Sequence, residues 1–234
     1  MYFTVCMNAL YIIGMLYKKR HIKLSIVEFG YYMHNKKTLR QLMRDKRRAY
    51  SNSEQLIASE KLCNMLSKQA SVKVANNIAL YLANDGELNP HLFIEWCWRE
   101  NKKVYLPVLH PFSHGNLLFL NYTEDTPLIP NKYGILEPQL NVQNVICLQA
   151  LDILFTPLVA FDLTGKRLGM GGGFYDRTLH SWHIEKSIKN KSLKYTPIGL
   201  AHDFQQVDKL SSELWDIPLP EIITPTQKIV CKTR

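Results

Sequence analysis

A chain of 234 residues with 46% hydrophobic content can fill the core of one domain, with room for an appendage. Its net charge of +9 suggests nucleic acid, but residues 1–50 hold 11 Lys/Arg against 2 Asp/Glu while residues 51–234 hold 18 of each. The body is therefore neutral, which counts against a nucleic-acid binder. Five scattered cysteines (Cys6, Cys63, Cys97, Cys147, Cys231) without a C-x-x-C pair count against a disulfide framework and a zinc site, and fit a reducing cytoplasm.

Residues 1–32 differ from the rest. Met1 to Leu16 is apolar and is followed by Lys18, Lys19 and Arg20, the reverse of a signal peptide's charge order. The run is short for a membrane span of ~20 apolar residues, which leaves a small anchor as the alternative. The segment is expected to be an extension, wrongly assigned or poorly ordered, with the natural start at Met33 and the working domain over 33–234.

Lys36 to Tyr50 has helical spacing, with Leu39, Leu42 and Met43 as a narrow apolar stripe and Lys36 and Arg40 on one face. Alone, it reads as a solvated basic helix. Ser51-x-x-Glu54 is a capping-box pattern, and the helix after it, to about Gln69, is expected to turn Leu56, Ile57, Leu62, Met65 and Leu66 inward. Asn77–Ala83 reads as a buried strand, Asn84-Asp85-Gly86 as a turn, and Asn89-Pro90 as the start of a helix with Leu92, Phe93 and Trp96 facing the core. Glu87 lies in the strand-to-helix loop, where ligand groups gather in open α/β sheets, but taken alone it reads as a solvent-facing carboxylate.

Lys103–Val108 and Leu117–Tyr122 read as strands, and Thr123–Gln143 as irregular loop, with Glu137 facing either a site or solvent. Pro111 and Gly115 keep His110 and His114 from aligning on a helix, and His180 and His183 lack a third partner, so neither pair is a metal-site candidate. Phe174 to about Lys189 reads as a helix with Tyr175, Leu179 and Trp182 inward. Pro197–Ala201 and Lys228–Cys231 read as strands, and the segment around Asp216 as a proline-bearing loop or edge. Strands alternate with helices, which predicts an α/β fold, a single-domain α/β/α sandwich with a mainly parallel sheet.

The richest stretch is Leu151 to Arg177. Four of the five residues from Gly169 to Gly173 are glycine, flanked by Arg167 and Asp176. Glycines allow backbone N–H groups to approach phosphate oxygens, and the following helix start adds its dipole; a flexible turn is the other reading. The loop is neither a P-loop, since Gly165-Lys166 precedes Arg167 and position 160 is alanine, nor a dinucleotide fingerprint, since position 174 is Phe. No G-x-S-x-G is present.

F-D-x-x-G-x-R-L-G-x-G-G-G-F-Y-D-R, from Phe161 to Arg177, resembles the signature of the 5-formyltetrahydrofolate cyclo-ligases. The Leu151-Asp152 strand with Pro157, K-x-x-L-R from Lys36 to Arg40, Tyr81-Leu82 before Gly86-Glu87, Gly134 to Pro138, and Asp216 are similar too, so the likeness runs in order over about residues 33–231. It implies ATP- and Mg²⁺-dependent cyclisation of 5-formyltetrahydrofolate to 5,10-methenyltetrahydrofolate, releasing ADP and phosphate through a phosphorylated formyl group. It implies ATP contacts from Lys36, Lys37, Thr38, Leu39 and Arg40 and from Arg167, Leu168, Gly169, Met170, Gly171, Gly172, Gly173, Phe174 and Tyr175. Leu82 and Glu87, with Met170, Gly171, Gly172, Gly173 and Phe174, are implied to bind the folate. Arg167 and Tyr175 are implied as catalytic, and Asp176 and Asp216 as Mg²⁺ ligands. The family often has His-Asp where Trp215-Asp216 stands and a second Asp at Pro220. The expected partners are 5-formyltetrahydrofolate and ATP, with no nucleic acid and no membrane, and the chain is expected to act as a cytoplasmic monomer.

Overall fold

The computed structural model describes residues 35–187 and 195–231; the proposed extension at 1–32, the start at Met33 and the predicted helix end near Lys189 lie outside the described residues. Two helices open the description. In α1 (Lys36–Ala49) the buried stripe is Leu39, Met43 and Arg47, while Leu42 is only half-buried. Helix α2 (Asn52–Ser67) starts with the predicted box: the Ser51 hydroxyl accepts from the Glu54 N–H at 3.3 Å and the Glu54 carboxylate accepts from the Ser51 N–H at 2.8 Å.

The inward face of α2 is the predicted one in part, since Leu62 and Leu66 are buried and Met65 packs against the core. Leu56 and Ile57 are exposed, and Ala58, Ser59, Leu62 and Leu66 are buried. Small Ala58 and Ser59 let α2 lie close to the next long helix, and the Ser59 hydroxyl donates to the Asn89 carbonyl at 2.7 Å. A short α3 (Ala70–Val74), absent from the sequence reading, leads into β1 (Asn77–Ala79). Helix α4 (His91–Arg99) begins one residue past Pro90 and buries Phe93, Ile94 and Cys97, whereas Leu92 and Trp96 are half-buried. The capping position is Pro90, not the expected Asn89, and it offers no side-chain bond; Asn89 Oδ1 accepts from the His91 N–H at 3.0 Å just ahead of it.

The main sheet adds β2 (Lys103–Leu109), β3 (Leu117–Tyr122), β6 (Val145–Ile146), β7 (Ile153–Pro157), β10 (Thr196–Leu200), β11 (Glu221–Ile223) and β12 (Lys228–Val230). Its order is β12-β11-β10-β7-β1-β2-β3-β6. The five central strands are parallel, and β12, β3 and β6 run antiparallel at the edges. Side chains alternate across it. Ile78, Leu80, Val104, Leu106, Ile153, Phe155 and Ile198 face one core with α2, α3 and α4. Ala79, Tyr105, Leu154 and Ile222 face a second core containing Leu179 and Trp182 of α5 (Phe174–Ser187). Helices on both faces of a largely parallel sheet are the predicted α/β arrangement. Each fully buried Leu or Ile here contributes about 1.5–3 kcal/mol relative to exposure.

Three segments differ from expectation for local reasons. The β1 ladder stops at Ala79, although the Leu80 N–H still reaches the Tyr105 carbonyl at 2.9 Å. Pro107 lies inside β2, since odd-numbered residues of β2 bond towards β1, which has ended before Pro107 needs a partner. The Thr123–Gln143 region holds a hairpin, β4 (Leu128–Pro130) with β5 (Leu136–Pro138). Glu137 there accepts from the Leu109 N–H at 3.2 Å and from the Asn131 side chain at 2.9 Å, so it satisfies backbone that the sheet leaves open.

Candidate functional site

Leu82 and Glu87 follow the carboxyl end of β1 and the glycine loop follows that of β7, where open α/β sheets place their ligands, while Lys36 to Arg40 lie on α1. The glycine loop is held out by a hairpin of β8 (Ala160–Phe161) and β9 (Arg167–Leu168), which the sequence reading did not anticipate. Asp162, buried at its turn, accepts from the Thr164 N–H (2.8 Å), the Thr164 hydroxyl (2.6 Å), the Lys166 N–H (3.3 Å) and the Leu210 N–H (2.9 Å). Gly165 has φ +83°, and a Cβ there would collide with the Leu219 carbonyl. These two contacts are the physical reason for the spacing F-D-x-x-G before Arg167.

Arg167 is turned inward, its side chain 5% exposed. It donates to Asp176 Oδ1 at 2.6 Å and to the Ile217 carbonyl. Asp176 Oδ1 also accepts from the Ile217 N–H at 3.3 Å. Burial lowers the Arg167 pKa, and Asp176 and Asp216 oppose that shift. Asp176 stands in the first turn of α5, where a carboxylate is favoured by the helix dipole.

Helix α1 closes the other side. Arg40 Nε donates to the Gly169 carbonyl at 2.8 Å, and its guanidinium lies over Gly171, which has φ +101°. Lys36 Nζ is 3.5 Å from Asp216 Oδ2 and 3.3 Å from Glu213 Oε1. Asp216 Oδ2 also accepts from the Glu213 N–H at 2.9 Å. The structure therefore brings Lys36, Arg40, Gly169, Gly171, Arg167, Asp176 and Asp216 to one place. Lys37 is exposed and Thr38 half-buried on the same first turn. Leu39 is not available through its side chain, which is buried in the core.

Leu168 is buried, Met170 is half exposed, and Gly171 and Gly172 are exposed. Gly173, with φ +65°, precedes α5. The Phe174 ring meets Tyr133 edge-on at 6.1 Å. Arg177, given no role by the sequence reading, donates from Nε to the Gly115 carbonyl at 2.8 Å and from Nη2 to the Gly172 carbonyl, tying the β2–β3 turn to the glycine loop. The Tyr175 hydroxyl is buried without a hydrogen-bond partner among the described residues; burial pushes its pKa up, and Glu87 adds to the shift. Tyr175 thus connects the glycine loop to the Glu87 side.

Leu82 is partly buried against the first core. Glu87 is not a solvent-facing carboxylate: its side chain is 16% exposed. Its Oε2 accepts from the Asn84 N–H at 3.1 Å, and burial raises its pKa to about 7 against the opposing pull of Arg47. The structure adds a group not singled out in the sequence. Asp85 takes Arg44 at 2.6 Å, Arg47 at 3.2 Å and Arg48. A cavity of about 360 Å³ borders Arg47, Tyr50, Gln55, Gly86 and Glu87.

Among the described residues no three or more His, Cys, Asp or Glu side chains cluster as a metal site, and no helix is long and apolar enough to cross a membrane. His110 Nδ1 accepts from the Phe112 and Ser113 N–H groups, a turn-closing role, and His180 and His183 are exposed on α5.

Comparison with known proteins shows the family to which the chain belongs. A family model described as the 5-formyltetrahydrofolate cyclo-ligase family matches residues 32–225. The 5-formyltetrahydrofolate cyclo-ligase of Escherichia coli K12 is 48% identical over 186 residues, covering 80% of this chain and 98% of the relative. That of Haemophilus influenzae is 58% identical over 149 residues, covering 64% and 75%. The NMR structure of Aquifex aeolicus 5,10-methenyltetrahydrofolate synthetase aligns with a TM-score of 0.68 at 27% identity, covering 85% of this chain and 94% of that one. The chain belongs to the 5-formyltetrahydrofolate cyclo-ligase family of enzymes.

Proposed function

We propose that the chain converts 5-formyltetrahydrofolate and ATP to 5,10-methenyltetrahydrofolate, ADP and phosphate, with Mg²⁺ as the metal. The observation that carries this reading is the meeting of α1 with the glycine loop: two cations, Lys36 and Arg40, stand at a run of glycines opening onto a helix start. Exposed loop backbone, cations and a helix N-terminus together suit a polyphosphate.

The chemistry asks for positioning and charge neutralisation. A formyl amide carbon is a poor electrophile because its oxygen is a poor leaving group. Attack of that oxygen on the γ-phosphorus breaks the bond to ADP and leaves the formyl oxygen phosphorylated. N10 then adds to the activated carbon, phosphate departs with the former formyl oxygen, and the five-membered ring closes with loss of the N10 proton. Lys36 and Arg40 would bind the phosphates, with backbone from Lys37 to Leu39 and from Leu168 to Phe174 shaping the channel. Arg167 would hold Asp176 in place and offset the charge of the transferring phosphoryl group, and Tyr175 would offer its hydroxyl at the junction of the two substrates. Leu82 and Glu87, with Met170, the three glycines after it and Phe174, would hold the folate in line.

The residues fit a magnesium ion. Asp176 uses Oδ1 for Arg167 and Ile217, and Asp216 uses Oδ2 for Lys36 and Glu213; the other oxygen of each accepts no hydrogen bond from the described residues. One or two carboxylates plus phosphate oxygens are a usual Mg²⁺ donor set. Bound there, the ion would neutralise phosphate charge. Monomeric action in the cytoplasm belongs to the same proposal. The test is ADP release by the pure chain with 5-formyltetrahydrofolate, ATP and Mg²⁺. Release that depends on all three, with a product absorbing in the near ultraviolet, is expected; binding of both substrates without turnover would instead mark a chain that keeps the fold and lacks the activity.

A further inference from the structure

Three consecutive loop residues, Asp85, Gly86 and Glu87, all rest on one residue of α1. Arg47 is 1% exposed. Its Nη2 lies 3.2 Å from Asp85 Oδ2 and its Nη1 lies 3.5 Å from Glu87 Oε1. Gly86 sits against its backbone, since a Cβ on Gly86 would stand 2.8 Å from the Arg47 carbonyl carbon and oxygen. The loop holds an uncommon shape, with left-handed φ of +51° at Asp85 and +72° at Gly86. Arg47 Nε and Nη1 are buried yet make no hydrogen bond among the described residues. A guanidinium so placed is incompletely used, and a small approach of Glu87 would complete the Nη1 bond.

We propose that Arg47 is the positioning residue of Glu87, holding the 84–87 turn and aiming the Glu87 carboxylate at the N–H donors of the folate ring. This rests on the reading of Glu87 as a folate ligand. Arg44 and Arg48 also hold Asp85, so the turn has other anchors and the distinctive task of Arg47 is Glu87. The groups that face this pair are Asp85 on the same loop, Tyr81 on the preceding strand, Tyr175 on α5 and His202 after β10. Arg47 is the cation among those that act on Glu87, and its charge opposes the effect of burial there.

The experiment is 5-formyltetrahydrofolate binding by titration calorimetry on the full chain at pH 6.5 and pH 9. For Arg47→Met the dissociation constant should rise about tenfold at pH 6.5 and stay within about threefold of wild type at pH 9, where Glu87 ionises without help. Arg47→Lys, which keeps a charge without reaching both carboxylates, should show a smaller loss that high pH also repairs, and it decides the matter alone if the methionine variant does not fold. A loss equal at both pH values, or no loss, overturns the proposal, because a merely structural role is not repaired by pH. Glu87→Gln separates the two claims. If it binds folate as wild type does, the reading of Glu87 as a ligand fails and the proposal with it; if it binds weakly while Arg47→Met shows no pH-dependent loss, only the role of Arg47 fails.

Discussion

Two buried arginines hold the two ends of the site, and they hold them differently. Arg167 meets Asp176 at 2.6 Å and also donates to the Ile217 backbone, so its charge is closely matched. Arg47 meets its acids at 3.2 and 3.5 Å, and its Nε and Nη1 make no hydrogen bond among the described residues. The first is a finished clamp beside the proposed phosphate and metal end; the second has slack beside the proposed folate end. A finished clamp fixes geometry before substrate arrives. A slack one can tighten when it does, so the two ends should answer differently to mutation, pH and ligand.

The largest effect should come from opening the finished clamp. Asp176→Asn leaves Arg167 buried without its counter-charge and should lower stability by about 3–5 kcal/mol in chemical denaturation. Removing Arg167 with it, as Arg167→Met in the double variant, should restore much of that stability but no turnover. If Asp176→Asn alone is as stable as wild type, the clamp is not finished in the sense argued.

Next come the glycines under each clamp. Gly165→Ala combines φ +83° with a collision at the Leu219 carbonyl, and Gly86→Ala combines φ +72° with the Arg47 backbone. Each should cost at least about 1–2 kcal/mol from the left-handed conformation alone. Gly169→Ala, where a Cβ meets nothing within 4 Å, should leave the melting temperature near wild type. A fall in ATP affinity in that variant would then report close phosphate approach rather than folding.

The pH response distinguishes the clamps without opening either. Glu87 is raised from 4.5 to about 7 by burial, so its contribution to stability is full below pH 4.5 and is lost as pH rises through 7. His202 is lowered to about 4, chiefly by burial, so its contribution is full above pH 6.5 and is lost as pH falls towards 4. The two slopes oppose each other. Glu87→Gln should therefore remove a decline in stability between pH 4.5 and 7 and leave the His202 slope exposed, measured as denaturation midpoints across that range. Smallest of all, Ser51→Ala lies outside both clamps and should cost about 1 kcal/mol through its cap, with unchanged turnover.

The sequence made the finished clamp readable and the slack one hard to see. Consecutive glycines have few uses, so Gly169 to Gly173 points to backbone approach, and Arg167 and Asp176 flank them within one short segment. Arg47 stands in Lys46-Arg47-Arg48, which reads as solvated surface. Its one clue is spacing, since it continues Leu39 and Met43 at steps of four and so falls on the inward stripe. The α2 face was read correctly at Leu62, Met65 and Leu66 but not at its start, because Leu56 and Ile57 look like core, while Ala58 and Ser59 face inward only because α4 comes close, a fact of tertiary packing. The β8–β9 hairpin was invisible because its strands are two residues long and depend on Asp162 gathering donors as distant as Leu210. The parallel order of the sheet, by contrast, follows from alternation of strand and helix, and that pattern is plain in the chain.

The bridge made by Arg177 has a consequence for motion. One guanidinium grips the Gly115 carbonyl across the β2–β3 turn and the Gly172 carbonyl in the glycine loop. Neither loop can swing aside alone without breaking that grip, so opening at this end is a joint event with one latch. Amide exchange in the two loops should rise together when the latch is removed by Arg177→Ala, and if product escape limits the rate, that variant should turn over faster at saturating substrate while binding ATP less tightly.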